Sequence, residues 1–480
     1  MTRPLGRRGL LLAAAAASAS TLLPKRRATA QEPPGRYLFA IGALGGASIL
    51  DSFLPLAEDA STEARALTSF APALIETVAG VDLRCVAPLT EEITGPPPYA
   101  ASYRQRTFLE RHGPDTAVMT LDHSSVNHNV GQRRAMNGNG VNSGRTLLEA
   151  VAARHGQGLP LAAVNMMAGE FAAPGWDPSL PAHAQQVTVA DARYFALGTH
   201  ASLGLPIAVD HEQLLSARAI RARLDSESAF ATSFEHVAGR RRFLALRERA
   251  NELEASGIAT EVGLLDLPGL ERSPELTRIR ELLPNFETDP FEAQAALAFL
   301  LAKSGGSCAL GISPSDALAL EGIGAERGVS NPALAFDSSH NTHRVGQHVM
   351  WSRLLRVTDA LITLLKGAED LLQPGSSLWD RSLVYMPTEF GRTRRRPAGS
   401  TRFGTGHFQN NGVVLVSPLI QGGRAYGGVD PATALTFGFE RNTGEPRPST
   451  HMSIEDVYGV VCEALEVEYE NRGSTPSMLR

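Results

Sequence analysis

Hydrophobic positions along this chain alternate between short unbroken apolar runs and longer stretches spaced every three or four residues. "RYLFAIGALGG" is an apolar run closed by glycines, the pattern of a buried strand that ends in a turn. "TAVMTLDH" and "LPLAAVNMMAG" repeat that form, with helical spacing in "SGRTLLEAVAARHG" between them. Strands alternating with helices predict a parallel sheet covered on both faces. From about Asp210 to Ala302 the pattern is helical throughout, in "EQLLSARAIRARL", "RRRFLALRERANELEASG" and "FEAQAALAFLLAKSG", which reads as a helical cover or insertion. The sheet pattern resumes with "PALAFDSS", a long helix through "QHVMWSRLLRVTDALITLLKGAEDLL", and the strands "SLVYMPTEF" and "NGVVLVSPLI". No internal repeat or low-complexity linker interrupts it. The expectation is one α/β domain over residues 36–470, a large mostly parallel sheet between helices, with a helical insertion at about 210–302.

Composition narrows the function without choosing it. The 480 residues carry a net charge of −5, with 43 % hydrophobic and 20 % charged residues, an ordinary globular balance. A nucleic-acid partner is not expected, because such a domain would be strongly basic. Cys85, Cys308 and Cys462 are far apart and odd in number, so they suit neither a zinc framework nor a disulfide scaffold. The N-terminus "MTRPLGRRGLLLAAAAASASTLLPKRRATAQ" pairs Arg7 and Arg8 before a weak apolar run and the small residues Ala28-Thr29-Ala30. That order is read as an export signal over residues 1–30, with the arginine pair pointing to the twin-arginine route and a periplasmic or secreted destination. No stable membrane span is expected after cleavage.

Polar groups collect where strands are predicted to end, and in α/β sheets those ends carry the chemistry. Asp51 follows "GALGG". Asp122, His123, Ser124, Ser125 and His128 follow the second strand. "FDSSHNTHRVGQH" holds Asp337, His340, His343 and His348. The "SLVYMPTEF" strand runs into Glu389, then Arg392, and "FGTGHFQNNG" adds His407. Carboxylates and imidazoles together are the donor set of a divalent metal site, and two such ions can clamp the attacking and leaving oxygens of a phosphoryl or sulfuryl group.

The order GG-x-S-x-x-D, a histidine-rich segment, D-x-x-H before a long helix, EFGRT, G-T-x-H and "GGRAYG" resembles the bacterial secreted family named domain of unknown function 1501. That family belongs to the alkaline phosphatase and sulfatase superfamily, and the resemblance covers nearly the whole mature chain. It implies an alkaline phosphatase-like fold. It also implies Asp51 as the first metal carboxylate, Asp337 and His340 as the next pair, Glu389 where the superfamily usually has aspartate, and His407 as the closing histidine. His128 joins the candidate ligands, and Arg392 is placed to meet an anion through paired hydrogen bonds. The chain departs from the pattern in two ways. "DSSHNTH" replaces the shorter D-T-H, so His340 and His343 are alternatives for one position. No C-x-P-S-R string is present, Asn137 stands where related chains often have threonine, and Ser124, Ser125 and Thr120 are the nearby substitutes for the nucleophile.

Two functions follow from that reading. The first is an exported metal-dependent hydrolase of phosphate or sulfate esters, with zinc expected and manganese or calcium as alternatives. The second is a noncatalytic member that binds an envelope component or anionic glycan in the same pocket. "GALGGAS" lacks the G-x-G-x-x-G spacing of a dinucleotide site, which argues against an oxidoreductase.

Overall fold

The computed structural model describes residues 35–89, 103–199, 210–266 with gaps between 238 and 255, 272–314, 335–469 except 371, 399 and 401, and 474–480. Gly35–Arg480 forms one compact unit. The candidate export signal and the first residues of "PALAFDSS" lie outside the described residues.

The core is an eight-stranded sheet whose strands we number along the chain. They are β1 (Tyr37–Ile41), β2 (Thr116–Asp122), β3 (Ala163–Asn165), β4 (Val187–Thr188), β5 (Ala309–Ile312), β6 (Ser382–Met386), β7 (Asn410–Val416) and β8 (Arg424–Tyr426). Their spatial order is β8-β2-β7-β6-β1-β5-β3-β4. Every neighbouring pair is parallel except the two involving β7, which runs against β2 and β6. β1 lies between β5 and β6, with Phe39 opposite Leu310 on one side and Val384 on the other. All five residues of β1, all five of β6 and all seven of β7 are buried. Such strands cannot alternate apolar and polar positions, because both faces are covered.

The covering helices include α1 (His128–Asn137), α2 (Leu147–His155), α3 (His211–Glu227), α4 (Pro290–Lys303), α5 (His343–Lys366) and α6 (Ile454–Ala464). The starts of α1, α2 and α4 carry the capping chemistry that satisfies free N–H groups. Asn127 accepts from Val130 at α1, Thr146 and Glu149 form a capping box at α2, and Asp289 accepts from Phe291 and Glu292 ahead of Pro290 at α4. α4 closes the stretch expected as helical cover, and its residues Phe291–Ala302 are all buried. α3 is different, with Leu215, Ile220 and Leu224 each about half exposed.

Two local expectations change. The strand beside β1 is β5, in "SCALGIS", and Ala335–His340 of the run expected to resume the sheet is a 3-10 helix. β5 already fills the slot next to β1. Asp337, Ser338 and Ser339 are turn formers whose side chains compete with sheet hydrogen bonding. The three cysteines are buried and unbridged. Among the described residues, no helix is long and apolar enough to cross a membrane.

Candidate metal centre

Because β7 is antiparallel, its first residue lies beside the last residue of β2, as the Asn410–Asp122 pairing shows. The segment leading into β7 therefore meets the segments leaving β1, β2 and β6 at one end of the sheet. There Gly391–Arg392 pairs antiparallel with His407–Phe408, so the EFGRT and G-T-x-H motifs form one two-stranded ribbon. The 3-10 helix Ala335–His340 is laced to the same ribbon. Thr405 N–H donates to Ser339 O (2.9 Å), and Arg392 donates to the carbonyls of Phe336 (3.3 Å) and Thr405 (3.4 Å).

The polar side chains converge on one oxygen, Asp337 Oδ1. Around it stand His340 Nε2 at 3.1 Å, His407 Nε2 at 3.4 Å, His128 Nε2 at 3.6 Å and the Arg392 guanidinium at 2.8 Å. His340 Nε2 and His407 Nε2 are 2.8 Å apart. Donors about 2.1 Å from a shared ion at tetrahedral corners are about 3.4 Å from one another, so this set has the spacing of ligands around one metal. His128, Asp337 and His407 form a group that can hold a metal ion, and His340 reaches the same carboxylate. The cluster faces solvent: His340 is 41 % exposed and Asp337 18 %.

The atoms behind the cluster fix which nitrogens face it. Glu389 Oε1 accepts from His128 Nδ1 (3.0 Å), and Val126 O accepts from His407 Nδ1 (2.8 Å), so both rings turn Nε2 toward Asp337. That is the arrangement by which carboxylates and carbonyls orient metal-binding imidazoles. Glu389 is fully buried. Its Oε1 also accepts from Gly45 N–H (2.7 Å) and Gln132 (3.3 Å), while its Oε2 has no hydrogen-bond partner. This buried carboxylate oxygen without a donor leaves unsatisfied negative charge directly behind His128, which suits a cation in front of it. Phe390 stacks on His407 at 4.0 Å between ring centroids and backs His128 at 4.9 Å, giving the site a rigid apolar wall.

Electrostatics follow from these contacts. The hydrogen bond to Glu389 raises the His128 pKa, against burial. Burial would raise that of Asp337, but the Arg392 hydrogen bond and charge outweigh it and hold the carboxyl below its ordinary range. Burial, followed by the Arg392 charge, lowers His340.

The other expected residues lie elsewhere. Asp51 is buried and accepts from His343 Nε2 (2.9 Å), with Arg344 at 3.6 Å. Of the two alternatives in "DSSHNTH", His340 joins the Asp337 cluster and His343 turns away from it. Arg392, expected to clamp an anion, has no exposed surface. Its donors are taken by Asp337 and by the carbonyls of Gly45, Gly46, Phe336 and Thr405. Ser124 Oγ donates to Asn139 Oδ1 beyond the C-terminal end of α1, and Ser125 Oγ accepts from Asn127 N–H within its own turn. Sequence reasoning missed Gln132, the Val126 carbonyl and Thr405, whose contributions are a bond to Glu389, a bond to His407 and the lacing to Ser339. Only Thr405 carried a signal, being the threonine of G-T-x-H.

Gly404 is where the ribbon and the 3-10 helix touch, since a Cβ there would lie 2.0 Å from His340 O. Gly404→Ala is therefore expected to push the two segments apart, at a cost of about 1–3 kcal/mol. Urea unfolding would read that loss, and an unchanged midpoint would show that the contact is not tight.

No family model matches the chain, and no curated protein matches it. Among solved structures, the phosphonate monoester hydrolase of Agrobacterium radiobacter is similar over 92 % of this chain and 77 % of that one, at 12 % sequence identity and a TM-score of 0.28.

Proposed function

We propose that this chain is an exported, metal-dependent hydrolase of phosphate or sulfate esters belonging to the alkaline phosphatase superfamily. The observation that carries the reading is the set of three imidazole nitrogens within 3.6 Å of Asp337 Oδ1, at the end of a mostly parallel sheet and open to solvent. The motif order EFGRT then GTGH supports the superfamily, and Arg7–Arg8 before an apolar run supports export.

His128, Asp337, His340 and His407 would hold the ion, and three nitrogens with one oxygen favour zinc over manganese or calcium. When bound, the ion would polarise an ester oxygen and acidify a water. Glu389 and the Val126 carbonyl keep the rings of His128 and His407 aimed inward. The Arg392 guanidinium holds Asp337 from behind. With Ser124 bonded to Asn139 and Ser125 accepting from Asn127 N–H in the turn before α1, water is the nucleophile of this reading.

A second reading, an anion- or glycan-binding member without turnover, is favoured by the engaged serines and by Arg392 having no exposed surface. The test is a panel of phosphate monoesters, phosphate diesters and sulfate esters, run on purified protein before chelation, after it and after zinc is restored. Turnover that disappears with the metal and returns with it supports the hydrolase. Fully metallated protein that turns over no ester but retains an anionic glycan establishes the second reading instead.

A further inference from the structure

Behind the metal centre lies a buried chain of three side chains that neither reading uses. Asp51 Oδ2 meets His343 Nε2 at 2.9 Å, and His343 Nδ1 meets Thr405 Oγ1 at 2.9 Å. None of the three is more than 4 % exposed. A substrate has no access to them, so carboxylate, imidazole and hydroxyl do not form a catalytic triad despite matching one in residue type.

Donor roles in this chain are set by chemistry. An ionised carboxylate only accepts, so His343 Nε2 carries the proton, and in the neutral ring Nδ1 must accept. The Thr405 hydroxyl therefore donates to Nδ1. That directs Thr405 from its side chain while its backbone N–H holds Ser339 O at 2.9 Å, next to His340. His343 N–H adds a bond to Phe403 O at 2.8 Å. His407 lies two residues beyond Thr405, and His340 three residues before His343.

We infer that Asp51, His343 and Thr405 are positioning residues that fix His340 and His407 against each other, with Asp51 acting through His343 and not as a metal ligand. This rests on the metal-centre reading above.

The test uses cobalt(II) as the probe, reading both its affinity and its visible absorption band on the full chain. Thr405→Val, which keeps shape and loses the hydroxyl, is expected to weaken cobalt binding about 10- to 100-fold, the range for partners that orient metal-binding histidines. Thr405→Ser restores the hydroxyl and should restore affinity. Asp51→Ala should match Thr405→Val, and the double variant should be no weaker than either, because both act through one chain. The band should keep its position throughout, since no ligand is lost.

Unchanged affinity in folded Thr405→Val, with only a lowered melting temperature, would reduce the chain to a structural role and overturn the inference. A shifted band in Asp51→Ala, or losses that add in the double variant, would make Asp51 a ligand and overturn it as well. If Asp51→Ala does not fold, the Thr405→Val and Thr405→Ser pair decides the matter alone. Wild type that binds no cobalt would refute the metal-centre reading itself, a result distinct from all of these.

Discussion

On the proposed metal-centre reading, Asp337→Ala is expected to abolish divalent-ion binding. Three imidazoles and a guanidinium share one Asp337 oxygen, so the substitution removes the negative member of the cluster and leaves the buried Arg392 charge facing it. A cation would then meet neutral rings and a fixed positive charge at close range. Affinity should fall by more than the roughly 10- to 100-fold seen for groups that only orient ligands. Folding should survive, because Arg392 keeps its bonds to Gly45, Gly46, Phe336 and Thr405, and the lost bond costs about 1–3 kcal/mol. Metal content after dialysis, measured beside Ser124→Ala as a control, reads the effect. Wild-type metal content in folded Asp337→Ala would place the ion elsewhere.

Acid should destabilise the fold through two histidines outside the Asp337 cluster. Burial pushes the pKa of His123 down to about 3 from the ordinary 6.5, and that of His348 down to about 4, where only the Asp51 charge pulls the other way. An imidazole with a depressed folded pKa stays neutral in the fold at pH values where the unfolded chain takes up a proton. The unfolded chain then binds more protons, so stability rises with pH between the two pKa values and is lost as pH falls below about 6.5. Each group contributes up to about 1.4 kcal/mol per pH unit. Between pH 6.5 and 4.5 His123 alone accounts for roughly 2–3 kcal/mol. His123 Nε2 has no hydrogen-bond partner, so His123→Leu should lose little at pH 7. The variant should gain on wild type by that amount at pH 4.5. Urea unfolding at both pH values checks it, and parallel pH responses of the two proteins would show that His123 is protonated in the fold or reached by water.

Most of the sheet was legible because β1, β2, β6 and β7 each contain a short apolar run, and such runs have few alternatives to a strand buried on both faces. β5 escaped notice because its four residues sit among glycines and serines, a run too short to stand out. "PALAFDSS" has the apolar content of a strand, but the turn-forming Asp337-Ser338-Ser339 makes Ala335–His340 a 3-10 helix instead. At the site, residue type was enough to single out Asp337, His340, His407 and His128 as candidate ligands. It was not enough to separate the side chains that meet at Asp337 Oδ1 from the groups behind them. Asp51 and Glu389 are carboxylates with the same donor atoms as Asp337, yet one is turned to His343 and the other to His128.

The sequence by itself determined the α/β class, the strand ends where polar groups gather, and the histidine-and-carboxylate character of the site. These depend on local hydrophobic period and on side-chain chemistry, which are readable residue by residue. Only the tertiary structure decided that β7 runs antiparallel and so delivers His407 to the end of the sheet where β2 releases His128. It likewise decided that Arg392 is enclosed by carbonyls and that His340, not His343, reaches Asp337. Those outcomes depend on which backbone carbonyls and which ring nitrogens come within about 3 Å of one another. That distance is set by strand direction and by contacts between residues hundreds of positions apart, and no local pattern in the chain encodes it.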